Sequence, residues 1–367
     1  MTAVAYHLEK DNRTVNLTTV RELLEEGKFA ELVRPGPGNL RSAGWVDYND
    51  IHGTDNLVLE AGEFLVFLYR IDEVKVSRTQ AKLVAQKRIA AAARENERPL
   101  TKLAKRDIYE DVIDEMARGS YPVIKLVEVA WDTLYNRLYI FSTARGTQDE
   151  LLEAVAPIVG VSPVQTFPYV VAQHCLGEGK ADELIEAGGG DPDGDFPSKV
   201  EASRPWWSQF LLWTAYCLRD QEFVKVEGVG IEVYFEDKAV FGSLYDQSLI
   251  TIQCDDPFSC PTGMTALKEQ RVPVAAKMTM LAEVDKFPRR WKFTFDCDKN
   301  ILSGVRVPRY TFEEFEEIIS ERLGALTALH NTLQKMFKVF LTLKGDEKGW
   351  EKHLAEVKRW LSIEDGE

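Results

Sequence analysis

The chain has 367 residues, 45% of them hydrophobic and 28% charged, which suits two or three globular domains with sizeable cores and excludes disorder as the default state. Its net charge is −14, so any contact with a polyanion must come from a local array of cations and not from the overall balance. No run approaches the roughly 18 apolar residues that span a bilayer, and Met1 to His7 show no basic-then-apolar leader pattern. The five cysteines are odd in number and scattered, which suits reduced thiols, so a cytoplasmic protein with no membrane partner is expected.

In chain order, Val20, Leu23, Leu24 and Ala30 among Glu and Arg predict an amphipathic helix from Thr18 to Leu32, stopped by Arg34-Pro35-Gly36-Pro37-Gly38. Gly44-Trp45-Val46 and Phe64 to Ile71 read as strands, the second apolar enough to sit centrally in a sheet. Ser77-Arg78-Thr79-Gln80 matches a capping box for a helix through Ala81 to Ala93, and Pro99 marks a turn. A second helix then carries Leu100, Ala104, Ile108, Val112 and Met116 at spacing four and ends at Gly119. Val123 to Trp131 and Arg137 to Thr143 resemble a hairpin, followed by a helix from Gln148 to Val159. The glycine- and aspartate-rich run 188–195 reads as a flexible linker. Beyond it come an apolar helix start at Trp206 to Trp213, strands at Val229 to Phe235 and Leu249 to Cys254, and a hairpin of Trp291 to Phe295 with Ile301 to Val307. Helices at Phe312 to Leu323 and Ala325 to Leu341 and an amphipathic tail from Trp350 to Trp360 close the chain.

These elements predict an α+β fold, with mixed or antiparallel sheets, packed helices and a projecting basic two-helix arm. Residues 1–74 and 120–180 form an N-terminal α+β domain in this division, with 75–119 inserted as the arm. The linker takes 181–200, a C-terminal α+β domain 201–343, and a helical tail 344–367.

Charge is segregated in the arm. Between residues 75 and 106 stand Lys75, Arg78, Lys82, Lys87, Arg88, Arg94, Arg98, Lys102, Lys105 and Arg106 against only Glu95 and Glu97, a local +8 that leaves −22 for the rest. A charge run is often only a solvated helix face. Here the cations spread over two helices and around their circumference, with few acids at four-residue spacing to neutralise them. No aromatic residues are interleaved, which fits contact with the backbone of double-stranded DNA better than stacking on single strands. The far end of the second helix, with Asp107, Glu110, Asp111, Asp114 and Glu115, is acidic, which makes the first helix the safer assignment.

Other constellations are weaker. Asp296 with Asp298, or Asp255 with Asp256, could hold magnesium in a nuclease, but a turn between strands accounts for Asp-Cys-Asp-Lys-Asn without metal. Cys254 and Cys260 lack the spacing and histidine partners of a zinc site, and the five histidines form no pair at helical or hairpin spacing. No Walker A, Gly-x-Ser-x-Gly or dinucleotide motif is present, so no catalytic residue, cofactor or metal site is assigned. Trp206, Trp207 and Trp213 could form a protein-binding surface, although helical core is the commoner use of such residues.

The order of these features resembles the bacterial recombination-associated RdgC family. The resemblance rests on Gly44-Trp45-Val46 with its polar loop, the strand at 64–71 and the basic helix after Lys75-Val76-Ser77. It also rests on Lys105-Arg106-Asp107-Ile108-Tyr109-Glu110-Asp111-Val112, Trp131-Asp132-Thr133 and Phe293-Thr294-Phe295-Asp296-Cys297-Asp298. It covers both ends of the chain and fades over roughly 165–290, where Phe210-Leu211-Leu212-Trp213 is similar to longer relatives. It implies a ring-shaped homodimer that encircles duplex DNA without sequence preference, associates with the nucleoid and restrains a strand-exchange recombinase by occupying its substrate. It also implies that the arm lines the ring and that Tyr121 makes the dimer contact. Some descriptions call the family an exonuclease; no nuclease motif in this sequence supports that reading, which stands as an alternative.

Overall fold

The computed structural model describes residues 1–9, 15–32, 40–95, 98–219, 223–243, 245–284, 287–307 and 314–363; the expected helix stop at 34–38 and Glu97 lie outside them. The first half runs β1 (Val4–His7), α1 (Leu17–Glu26), β2 (Arg41–Val46), β3 (Leu59–Ala61), β4 (Phe64–Glu73), α2 (Arg78–Glu95), α3 (Lys102–Arg118), β5 (Val123–Asp132), β6 (Arg137–Ile140), α4 (Arg145–Val159) and β7 (Val164–Gln165). The second runs α5 (Pro168–Leu176), α6 (Glu178–Ala187), α7 (Phe196–Ser203), α8 (Pro205–Leu218), β8 (Phe223–Val226), β9 (Val229–Ser243), β10 (Leu249–Ile252), α9 (Pro261–Lys268), β11 (Arg271–Val284), β12 (Phe287–Asp296), β13 (Ile301–Arg306), α10 (Phe315–Gly345) and α11 (Glu347–Ile363).

Two antiparallel sheets organise the molecule, so the α+β expectation holds. The first has the order β2-β4-β5-β6-β1-β7, with β3 also on β4, and the second β10-β9-β11-β12-β13, with β8 on β9. Strand β4 is buried along its length except at Glu73, as its apolar run demanded, because both faces of its sheet are covered. On one face Val20 and Leu24 of α1 and Leu151 and Val155 of α4 pack against Phe67, Tyr69, Val127 and Val129. The other face presents Phe64, Val66, Ala130 and Tyr139 to a core shared with α5, α8, α10 and the second sheet.

Helix α10 lies between the sheets and bonds to both. Arg322 donates to both carboxylate oxygens of Glu128 on β5 at 2.6 and 2.7 Å, and Thr327 Oγ1 donates to Asp132 at 2.8 Å. On the opposite side the Trp291 indole of β12 donates to the Ala325 carbonyl at 2.9 Å. This core crosses the expected boundary between N- and C-terminal domains.

Several expectations are corrected. Most of 181–200, read as a linker, is helical: Ala181, Leu184 and Ile185 of α6 are in the core. Its glycines stop α6, with the amides of Gly188 and Gly190 returning to carbonyls of Leu184 and Ile185 and Gly189 at φ 80°. Asp195 then caps α7 through the Ser198 amide at 2.9 Å. The glycine and aspartate composition is helix-stop and cap chemistry, and not a tether. The two helices expected on either side of Gly324 are one helix of 31 residues, because burial along its inner face outweighs the ~1 kcal/mol that a mid-helix glycine costs. Trp206, Trp207 and Trp213 are 2%, 5% and 5% exposed within α8, which removes them as a protein-binding surface. Cys254 and Cys260, read as separate thiols, are joined in a disulfide across the turn that carries Asp256 at φ 47°.

Candidate nucleic-acid interface

The basic stretch folds into the antiparallel pair α2 and α3, which pack chiefly on each other. Ser77 Oγ accepts the Gln80 amide at 3.3 Å to start α2, and Thr101 Oγ1 accepts the Ala104 amide at 3.2 Å to start α3. The seam is small: Ala81 and Ala85 of α2 meet Val112 of α3, flanked by Ile108 and Met116. With only alanines buried on α2, the rest of its circumference is left to solvent. Leu83 and Val84 of α2 and Leu103 of α3 are exposed, a feature that the alternation of apolar and basic residues could have signalled.

All ten cations are exposed. Three have carboxylate partners: Lys75 with Glu73 at 3.9 Å, Arg88 with Glu115 at 2.5 Å and Arg106 with Glu110 at 2.7 Å. The hydrogen bond that Arg106 donates to Glu110 raises the proton affinity of its guanidinium further. Arg78, Lys82, Lys87, Arg94, Arg98, Lys102 and Lys105 have no ion-pair partner among the described residues. Arg78 and Lys82 are four apart and share one face of α2, while Lys87 and Arg94, two turns apart, share another.

The antiparallel arrangement redistributes this charge along the hairpin. The acidic end of α3 lies against α2 short of the junction, where Glu115 pairs with Arg88. Arg94, Arg98, Lys102, Lys105 and Arg106 gather where α2 ends and α3 begins; Arg94, Arg98 and Lys105 line one groove there with Ile89 and Leu100. On α3 this order opposes the helix dipole, which favours acids at the N-terminus and bases at the C-terminus. Helix stability therefore does not account for the placement. The sequence reading favoured the first helix; the structure shifts the uncompensated charge to the junction of the two.

Tyr121, just after α3, is 93% exposed, and Val123, Ile124 and Leu126 at the start of β5 are exposed beside it in sequence. The alternative acidic sites are occupied by their own turns. Asp296 accepts the Lys299 amide at 3.0 Å and its ammonium at 3.2 Å, and Asp256 accepts the Phe258 amide at 3.1 Å and the Ser259 hydroxyl at 2.5 Å. Among the described residues no group of three or more His, Cys, Asp or Glu is placed to hold a metal ion, and no helix is long and apolar enough to cross a membrane.

No curated protein matches the chain. A family model described as "Putative exonuclease, RdgC" matches residues 2–174, a stretch that runs from β1 into α5 and carries Tyr121 and all ten cations. Over that stretch the chain is an RdgC-like protein.

Proposed function

We propose that the protein binds double-stranded DNA without sequence preference, through the α2–α3 hairpin acting as a basic arm. The observation that carries this reading is the set of seven exposed cations with no carboxylate partner among the described residues, two of which, Lys102 and Lys105, stand against the dipole preference of α3. Such side chains are held off from local neutralisation and release counterions when phosphates replace solvent. They offer point charges without a base-reading geometry, so contact is with the backbone. The RdgC-like character of residues 2–174 supports the further reading of a homodimeric ring that encloses DNA and restrains strand exchange by a recombinase. The exposed Tyr121, Val123, Ile124 and Leu126 supply apolar surface for self-association. On this reading the protein holds DNA in preference to cutting it; Asp296 and Asp256, one member of each acidic pair weighed as magnesium ligands, accept hydrogen bonds within their own turns, which supports it.

Sedimentation of the pure protein with linear and covalently closed circular duplex tests this. Co-sedimentation that is lost as salt rises is expected, with loading that differs between the two forms where a closed ring must thread an end. No binding to either form, or binding indifferent to salt, would overturn the reading. Release of nucleotides from linear DNA with magnesium or manganese, abolished by Asp296→Asn, would establish the exonuclease instead.

A further inference from the structure

Where α2 gives way to α3, the hairpin carries an open groove of about 510 Å³. Ile89, Ala90 and Ala93 of α2 line it with Leu100 of the connection. Arg94, Arg98 and Lys105 line it too. Ile89, Ala93 and Leu100 are half-buried while the three cations are exposed, so the apolar surface is set back behind the charges. The apolar cluster that closes the helix seam runs through Ala81, Ala85, Ile108 and Val112 and includes neither Ile89 nor Leu100. The recess is therefore apolar surface that the seam of the hairpin does not use. Its charge is equally unspent. Arg94, Arg98 and Lys105 have no ion-pair partner among the described residues. Glu95, the only acidic residue described between Lys75 and Arg106, does not line the groove. Helix α3 begins beside it after the Thr101 cap, so the positive end of its dipole adds to the same potential.

An occupant must answer both features at once. A duplex backbone would meet the cations and gain nothing from the recess, because its contacts are to phosphate and sugar. An anionic membrane takes up apolar side chains that protrude into it, whereas here they lie behind the charges. A peptide supplies both parts: carboxylates, which guanidinium forks hold through two parallel hydrogen bonds, and a large side chain for the recess. An apolar anchor seated in a pocket within a polar rim is the arrangement that dominates the energetics of protein interfaces. The groove volume falls in the roughly 300–1,000 Å³ range of sites that take such a group.

We propose that the groove docks an acidic segment of a partner protein, with its carboxylates on Arg94, Arg98 and Lys105 and a large apolar side chain against Ile89 and Leu100. The assignment goes beyond duplex binding and does not rest on it, although the shared cations make a docked segment and a duplex compete for the junction. The full chain is titrated by fluorescence anisotropy with a labelled peptide of aspartates ending in leucine and phenylalanine. Controls are the aspartates without the apolar pair and the apolar pair behind serines, and the protein is also co-sedimented with phosphatidylglycerol vesicles. The complete peptide should bind at least about tenfold tighter than either control. Ala90→Trp, at an exposed position, fills the recess without changing a charge. It should weaken the complete peptide by about tenfold or more and leave the salt slope of duplex binding unchanged. If that variant does not fold, Leu100→Ser, outside both helices, must weaken the peptide by about threefold or more. Equal binding of the aspartate-only peptide, no binding of any peptide, or indifference to these substitutions would overturn the assignment. Sedimentation with vesicles and no peptide binding would also end it, in favour of a membrane surface. Peptide binding that persists where duplex binding fails supports the groove and sinks only the DNA reading.

Discussion

Replacing Lys87, Arg94 and Lys105 together by glutamine removes three exposed cations that have no carboxylate partner among the described residues, so it removes charge without breaking an ion pair described there. Each phosphate contact contributes about 0.9 to the slope of log Kobs against log salt, so the slope for duplex binding should flatten by about 2.7. Between 50 and 200 mM salt the triple variant should therefore lose about 40-fold less affinity than its parent. Fluorescence anisotropy with a labelled duplex across that range reads both quantities. A matched pair, Arg88→Gln with Arg106→Gln, removes cations already neutralised by Glu115 and Glu110. It should flatten the slope by clearly less than the roughly 1.8 that two free contacts would give. Denaturant midpoints serve as control, because exposed substitutions of this kind change stability by no more than about 0.5 kcal/mol. An unchanged slope in the triple variant, or equal effects per residue in the two sets, would refute the argument that unpaired cations make the contact.

Glu128→Gln should destabilise the fold by about 3–5 kcal/mol in urea unfolding, because it leaves the part-buried Arg322 without its two-oxygen partner. Lowering pH should weaken the fold through His7, whose proton affinity is depressed from 6.5 to about 4 by burial, His174 and Arg137. The unfolded chain takes up that proton first, so stability is lost as pH falls from 6.5 to 4, and His7→Gln should flatten this limb. Two glycines in helices should behave oppositely when changed to alanine. At Gly263 the new Cβ would lie 1.7 Å from the Pro257 carbonyl oxygen, and a loss of about 1–3 kcal/mol is expected. At Gly324 nothing lies within 4 Å, and a gain of up to about 1 kcal/mol should appear as a raised denaturant midpoint.

Local signals carried much of the fold. The capping residues Ser77 and Thr101, the apolar run of β4 and the acidic turn after β12 each state their structure within a few residues. Strand β11 does not: Pro273 and the Ala275-Ala276-Lys277 run argue against a strand. The proline is tolerated because the register with β9 shifts between Pro273 and Ala275. Gly324 misled in the other direction, since what holds α10 together comes from residues on both sheets. The exposed cations were legible from composition, but their gathering at the junction of α2 and α3 depends on antiparallel packing. A cavity lined by His7, Arg137, His174 and Asn331 was not legible, because these are separated by up to 324 residues and no spacing rule links them.

The shared core has a consequence for synthesis. Phe64, Val66, Ala130 and Tyr139 of the first sheet's inner face have all been made once Ile140 is added, yet their cover includes Leu326, Phe337 and Leu341 of α10. About 200 residues separate those points, which at roughly 5–20 residues per second leaves that apolar face without its partner helix for about 10–40 s. The nascent chain is thus most exposed to aggregation and to holding chaperones late in translation, and the arrival of one helix ends that interval for both sheets at once.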